Sequence, residues 1–456
     1  MSAIAKYFHT KNFQVSGSDK SNSKLIEDLI DFGIKDIWTP HNKERISHIN
    51  PDVIVYSTAI VSGKNEEHDW AKLNNKIIMH RSEALENILS DKKVIAITGT
   101  HGKTTTTAMT CEMFESCNEN ISGIVGGIIK SKNSNIMIGN SDYFVIEADE
   151  SDKSFLKCTP YIGVITNIEP DHLENYDGKM EEIEKCFIEF CNKTLNNNGY
   201  LIVCADDKIT SSLIKEHFPH NNDHILTYGF HRAENGPMLS LKESDSGGDL
   251  IYKNSKINTI KLKMPGKHNL LNATAVYGIG LLLKLKKNLI VKGLENYSGV
   301  SRRFEYIKRS PELTIVDDYA HHPTEITATI NAALSLNPKR LVVILQPHQP
   351  TRVRDLWDEF ISTLSIFSAQ IYITDIYIAR GDNIEGVSSK LLVDKINKSN
   401  IKYLNGDLDE ISNFISLQIQ PGDFILTLGA GDITKLGYMI AEQNIQKQSE
   451  NNITRR

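Results

Sequence analysis

The stretch that most limits how this chain can fold is Val94 to Thr107, VIAITGTHGKTTTT. Val94 to Ile97 is a short apolar run and reads as a buried strand. It stops at Gly99, and Thr105 to Met113 predicts a helix. A strand, a glycine-bearing turn and a helix N-terminus make an anion site, because free backbone N–H groups and the helix dipole point at whatever sits there. Lys103 adds a point charge suited to a terminal phosphate, and Thr104 carries a hydroxyl of the kind that ligates Mg²⁺. The spacing departs from the common phosphate loop, which wants a glycine where Ile97 stands. An ordinary Gly-rich turn is the bland alternative; a GKT triplet after a strand and before a helix favours nucleotide binding over it. The nucleotide candidates are Gly99, Thr100, His101, Gly102, Lys103, Thr104 and Thr105.

Length and charge narrow the class. A chain of 456 residues is long enough for about two to four domains. Its net charge of −6 offers no electrostatic case for nucleic acid as a partner. No window approaches the roughly 18 apolar residues of a membrane span. MSAIAKYFHT at the start lacks an apolar core followed by a cleavage site. The cysteines, Cys111, Cys117, Cys158, Cys186, Cys191 and Cys204, form no CxxC pair, as suits small core residues in a reducing cytoplasm.

The fold class is α/β, in three domains. Residues 1–90 alternate strands (Phe13 to Ser16, Val53 to Tyr56, Lys76 to Met79) with helices (Leu25 to Phe32, Ser82 to Leu89) in a small Rossmann-like unit. Such a unit opens on a strand and a Gly-rich loop. Ser2 to Phe8 already reads as the helix that follows them, so the first strand and loop are expected to be missing. Asp19 closes an SGSD segment, where an acid either meets a ribose or base or caps a turn.

Residues 91–298 predict a larger unit with a parallel sheet, its strands at Tyr143 to Ile146, Tyr161 to Ile165 and Leu201 to Cys204. Asn221 to Met264 reads as loops with short antiparallel strands, and Asn269 to Leu285 as a helix. Residues 299–456 form a third, Rossmann-like unit. Its strands are Leu313 to Val316, Leu341 to Leu345, Gln370 to Thr374 and Phe424 to Leu428. Its helices are Thr324 to Leu336, Arg354 to Ser365 and Leu408 to Leu417, and a frayed tail begins at Gln443.

Several polar clusters sit just past these strands, where α/β sheets present their ligand crevice. EADESD (Glu147 to Asp152) can lend Glu147 to Mg²⁺ beside Thr104, or be a solvated acidic turn. NIEPDH (Asn167 to His172) can lend His172 to a second ion, although a lone His more often has no such role. GKHNLLN puts Asn269 and Asn272 on one helical face, where carboxamides can read adenine or cap the helix. Arg302 or Arg303, in RRF, can reach a phosphate or form an ion pair. DDYAHHP (Asp317 to Pro323) and QPHQPTRVRD (Gln346 to Asp355) are dense in titratable groups. In the second, His348, Arg352 and Arg354 can hold a carboxylate, unless these are simply capped turns.

GTHGKTT, EADESD, NIEPDH, GKHNLLN, RRF, VDDYAHHPTE and QPHQPTRVRDL, in this order over essentially the whole chain, resemble the Mur ligases. These are the ATP-dependent amide-forming enzymes of bacterial peptidoglycan and cell-wall synthesis. Within the family, GTHGK, EADESD and DDYAHHPTE look most like the branch that joins L-alanine to UDP-N-acetylmuramate. The resemblance implies a UDP-substrate domain, an ATP-binding domain and an amino-acid domain, with ATP and Mg²⁺ used in a cytoplasmic monomer or homodimer. It implies Lys103 on the β/γ-phosphates, and Thr104, Glu147 and His172 serving two Mg²⁺ ions. Asn269 and Asn272 would meet the adenine region, Arg303 the γ-phosphate and Asp318 the nucleotide. The UDP-substrate candidates are Asp19, Glu150, Ser151 and Asp152; the L-alanine candidates are Tyr319, His322, His348 and Arg352.

Three departures stand out against the family pattern: the missing N-terminal loop, Gln349 in place of the usual arginine, and Asp432 in place of the usual asparagine. Two further readings stay open. One is the recycling ligase that adds a tripeptide to the same UDP sugar; the other is a truncated nucleotide-binding homologue with little activity.

Overall fold

The computed structural model describes residues 1–219, 222–230, 238–244, 247–379 and 381–453. The chain divides into two compact units. One comprises Met1–Gly126, Lys132–Ile260 and Ala273–Leu294; the other comprises Gly127–Ser131, Lys261–Asn272 and Glu295–Arg456.

The first unit is built on a ten-stranded sheet among the described residues. Its order is Ser255–Ile260, Gly247–Tyr252, Met238–Ser244, Ile225–Gly229, Tyr200–Cys204, Ile162–Ile165, Lys93–Thr98, Tyr143–Glu147, Ser122–Ile129, Ser134–Met137. The run from Met238–Ser244 to Ser122–Ile129 is parallel. Its strands are covered on both faces, which is why they appear in the sequence as unbroken apolar runs. Lys93–Thr98 lies between Ile162–Ile165 and Tyr143–Glu147, so the loops leaving these three strands emerge side by side. That neighbourhood gathers the first set of candidate residues.

In the N-terminal part, two parallel pairs are formed: Gly17–Ser18 with Ile37–Trp38, and Val53–Tyr56 with Ile77–His80. The Ser2–Thr10 helix packs onto the large sheet, the Tyr7 and Phe144 rings lying 5.7 Å apart. The expected strand at Phe13 to Ser16 is not formed. The Phe13 ring folds back on Phe8 at 5.4 Å and its N–H donates to the Phe8 carbonyl, so this segment closes the helix and the strand starts later, at Gly17.

The short antiparallel strands expected within Asn221 to Met264 are formed, but one strand there is parallel instead. Ile225–Gly229 extends the parallel sheet, and three further strands form an antiparallel meander. Within it, 221, 231–237 and 245–246 lie outside the described residues.

The second unit carries a six-stranded sheet among the described residues: Glu305–Arg309, Leu313–Asp318, Asp423–Leu428, Arg340–Leu345, Gln370–Ile373, Ile401–Tyr403. Only the first pair is antiparallel. The helix expected over Arg354 to Ser365 is two helices, Pro350–Asp355 and Trp357–Ser365. Pro350 starts the first early, and Leu356, at φ −111° and ψ 28°, breaks the run between them. The tail expected to fray continues the terminal helix, Thr434–Ile453; 454–456 lie outside the described residues.

Candidate active site

The phosphate-loop helix is Lys103–Ser116, with Gly102 at its N-cap in the left-handed conformation (φ 85°). Gly99, at φ 124°, approaches the neighbouring loop so closely that an added Cβ would lie 2.2 Å from Thr166 Oγ1 and 2.7 Å from the Asn167 carbonyl. Only glycine tolerates both the conformation and the contact. Asn167 then grips the turn from the side. Its Oδ1 accepts from the His101 N–H at 2.8 Å and its Nδ2 donates to the His101 carbonyl at 3.1 Å. The Glu169 N–H donates to Thr100 Oγ1 at 2.8 Å. A loop tied down at this many points is preorganised for a ligand rather than shaped by it.

Lys103 sits at the centre, its side chain 13% exposed. Its ammonium donates to the Gly99 carbonyl at 2.7 Å, to the Thr100 carbonyl at 3.2 Å and to the Glu150 carboxylate, whose oxygens lie 2.9 and 2.7 Å away. Burial alone would lower the Lys103 pKa, but the charges of Glu150, Asp149 and Glu147 outweigh it and raise it, so the ammonium is kept. Glu150 itself is only 6% exposed. Burial pushes its carboxyl up to about 7 against the pull of Lys103. Its backbone carbonyl accepts a hydrogen bond from the Tyr176 hydroxyl.

Thr104 Oγ1 donates to Glu147 Oε1 at 3.0 Å, and Glu147 Oε2 accepts from the Gly126 N–H at 2.9 Å. A hydroxyl and a carboxylate side by side, one residue from Lys103, are the hard oxygen donors that Mg²⁺ takes. Thr105 is buried in the helix's first turn. His172 stands at φ 55° on the loop after Ile162–Ile165, its Nε2 3.6 Å from Asp171.

The other acidic candidates take separate partners. Asp152 pairs with Arg81 at 3.2 Å and accepts from the Ser154 N–H at 3.0 Å. Burial would raise its carboxyl, but these bonds and the Arg81 charge hold it below the usual value. The Ser151 carbonyl accepts from Asn175 Nδ2 at 2.8 Å. Asp19 lies at the end of the Gly17–Ser18 strand, its N–H donating to the Trp38 carbonyl at 3.2 Å. Beside Arg81 and Glu147 is a cavity of about 290 Å³, lined also by Met1, Asp149 and Lys157.

In the second unit, the strand ends gather the remaining candidates. Asp318 is buried, with Oδ2 accepting from the Phe304 N–H at 2.6 Å and Oδ1 from the Ala320 N–H at 2.8 Å. Burial raises its carboxyl to about 6 despite the nearby Arg303 charge. Arg303 lies 3.6 Å from Glu325 and 5.2 Å over the Tyr319 ring. His322 caps the Pro323–Leu334 helix in a reciprocal capping box with Glu325. Asn269 turns its Nδ2 back to the Pro265 carbonyl at 2.7 Å rather than capping its helix, and Asn272 is buried one turn on. His348 lies 3.5 Å from Arg352, and burial together with the Arg352 charge lowers its pKa to about 4.

For Arg302, as for Arg303, the sequence allowed a phosphate contact or an ion pair; it does lie 3.6 Å from Asp317, but its contacts with a remote loop were not foreseen. Its guanidinium donates to the carbonyls of Gly429, Ala430 and Gly431 and lies 4.8 Å over Tyr319, pinning the loop that holds Asp432. Asp432 in turn accepts from Gln346 Nε2 at 2.8 Å. Asn167 and Arg81 were missed as well. Asn167 had a signal in its place directly after an apolar strand; Arg81 and the Arg302 loop contacts had none, since the partners are remote in sequence.

Three family models match consecutive parts of the chain: the Mur ligase family catalytic domain over residues 1–93, the Mur ligase middle domain over 97–280, and the Mur ligase glutamate ligase domain over 302–431. A UDP-N-acetylmuramate–L-alanine ligase of Clostridium botulinum is 39% identical over 443 residues, covering 96% of this chain and 94% of that protein. The chain belongs to the Mur ligase family. Its similarity extends to the ligase of the same name from Clostridium tetani, 39% identical over the same share of both chains.

Among solved structures, the UDP-N-acetylmuramate–alanine ligase of Thermotoga maritima superposes on this Mur ligase with a TM-score of 0.81. The two are 28% identical, and the match covers 98% of this chain and 97% of the other. A murein peptide ligase from Psychrobacter arcticus, 20% identical with a TM-score of 0.69 over 97% of this chain and 96% of its own, shares the fold. Mur ligases are ATP-dependent, and the lysine on a preorganised glycine loop is the feature of this one that suits a triphosphate.

Proposed function

We propose that this Mur ligase joins L-alanine to the lactyl carboxylate of UDP-N-acetylmuramate, using ATP, in peptidoglycan synthesis in the cytoplasm. The observation that carries the reading is the Lys103 cradle, in a chain 39% identical over nearly its whole length to proteins of that activity. A carboxylate is a poor acyl donor. Its oxygen attacks the γ-phosphorus of ATP, ADP leaves, and an acyl phosphate forms; the amine of alanine then attacks the acyl carbon, and inorganic phosphate leaves from the tetrahedral intermediate.

In this reading Lys103 binds the β/γ-phosphates, and Arg303 meets the charge that builds on the transferring group. Thr104 and Glu147, with His172, would hold Mg²⁺, and their oxygen donors fit it. When bound, the metal would neutralise phosphate charge. Asn269 and Asn272 would meet the adenine region, and Asp318 the nucleotide. Asp19, Glu150, Ser151 and Asp152 would contact the UDP substrate, and Tyr319, His322, His348 and Arg352 the amino acid. We assign residues 1–90, 91–298 and 299–456 to UDP-substrate, ATP and amino-acid binding in turn.

Phosphate release tests the reaction. With ATP, Mg²⁺ and UDP-N-acetylmuramate present, L-alanine should trigger it and a tripeptide acceptor should not. Release with the tripeptide alone would replace this reading with the recycling one.

A further inference from the structure

Tyr377 lies just past the Gln370–Ile373 strand and belongs to none of the sequence motifs. Its backbone is paired on both sides with the QPHQP loop. The Tyr377 N–H donates to the Pro347 carbonyl at 2.8 Å, and the Gln349 N–H donates to the Tyr377 carbonyl at 2.9 Å. This makes His348 and Tyr377 partners in a parallel bridge. Their rings lie almost parallel, 12° apart with centroids at 5.8 Å, an offset stack.

Gly431 also lies close to Tyr377. A Cβ there would stand 2.3 Å from Gln346 Oε1 and 2.5 Å from Tyr377 Cγ, so only a glycine leaves room for the tyrosine ring. Gly431 is itself fixed, because its carbonyl accepts from Arg302 at 3.0 Å. The tyrosine ring is thus held by its stack on the imidazole and by its close approach to an anchored loop.

The imidazole it holds has a defined polarity. Arg352 Nη1 faces His348 Nδ1 at 3.5 Å, and a guanidinium can only donate. Nδ1 is therefore the acceptor, and Nε2–H is the donor left to meet a ligand oxygen.

We propose that Tyr377 is a further positioning residue of the acceptor site, holding the His348 ring at the angle from which Nε2–H meets the carboxylate of the incoming amino acid. This rests on the reading of His348 as part of that site. Because the stacked face rather than the phenol hydroxyl makes the contact, phenylalanine should serve as well as tyrosine.

The test is steady-state kinetics of the full chain with ATP, Mg²⁺ and UDP-N-acetylmuramate. Tyr377→Ala should raise KM for L-alanine by about tenfold, the weight of one oriented polar contact, and leave KM for ATP and for the UDP sugar within about twofold. Tyr377→Leu, which fills the space without an aromatic face, should behave as the alanine variant does, and Tyr377→Phe as wild type. The inference is overturned if Tyr377→Leu keeps the wild-type KM for alanine, if all three KM values rise together, or if Tyr377→Phe is as impaired as Tyr377→Ala. A wild-type protein that does not respond to alanine would instead overturn the proposed reaction, and this inference with it.

Discussion

Lys103 Nζ lies 2.9 and 2.7 Å from the two oxygens of Glu150, 47 residues away in the chain, and donates its remaining bonds to the carbonyls of Gly99 and Thr100. An ammonium has three protons. Each has an acceptor here, so a phosphate must displace one of them. Glu150 is the acceptor on a side chain and therefore the one able to withdraw. Lys103→Ala should lower kcat by about a thousandfold or more, with little change in UDP-N-acetylmuramate affinity by calorimetry. Glu150→Gln should tighten ADP binding by about fivefold, the worth of roughly one hydrogen bond. Unchanged ADP affinity in the glutamine variant would mean that Glu150 does not compete with phosphate.

The Thr104–Glu147 contact yields a second prediction. Thr104→Val removes the hydroxyl that Glu147 accepts from and that is positioned for a metal. The Mg²⁺ concentration for half-maximal activity should rise on the order of tenfold, and Thr104→Ser should restore it. A magnesium titration of initial rates decides the matter; a valine variant with the wild-type requirement would remove Thr104 from the metal site.

His321 gives a pH dependence. Its Nδ1 faces the Tyr319 carbonyl at 2.9 Å, and burial lowers its pKa to about 4 from an ordinary 6.5. Between those values the unfolded chain binds a proton that the folded chain refuses. The stability His321 contributes is thus complete above pH 6.5 and is lost as pH falls toward 4, at up to about 1.4 kcal/mol per pH unit. Asp318, raised by burial, works in the opposite direction over part of this range, so the comparison must be between variants. His321→Asn should lose less stability than wild type from pH 6.5 to 5, as measured by denaturant unfolding. Parallel curves would refute the assignment.

Asp318 holds two backbone N–H groups at once, those of Phe304 and Ala320. Asp318→Asn presents an amide N–H₂ to one of them, leaving two donors face to face in a buried site. The cost should be about 1–3 kcal/mol, seen as a lower Tm even without substrates. A wild-type Tm in this variant would show that the carboxylate does not pin the Arg302–Phe304 segment.

Much of the site was legible because its elements are local. Val94 to Ile97 could be read as a strand since a parallel sheet buried on both faces needs an uninterrupted apolar run. Gly99, Gly102 and Lys103 could be read as an anion site since the loop and helix that make it are contiguous. Two of the misreadings have equally local causes, and a third has a remote one. Phe13 has the apolar, aromatic character of a strand residue, but the Phe8 ring captures it. Arg354 to Ser365 has helical spacing throughout, and the break at Leu356 leaves no compositional mark. Ile225–Gly229 was hidden in a polar stretch because its neighbour Tyr200–Cys204, rather than its own sequence, draws it into the sheet.

By itself the sequence determined which residue types stand at the ends of which strands, and so the chemistry available: a cation on a glycine loop, hard oxygens beside it, and histidine and arginine on two further loops. Tertiary structure alone decided who faces whom. That Lys103 is held by Glu150, that Arg302 serves the 429–431 carbonyls, and that Tyr377 braces His348 all follow from chain segments that meet only when strands far apart in sequence lie side by side. A hydrogen bond or ring stack acts over a few ångströms of space, and distance along the chain carries almost no record of it.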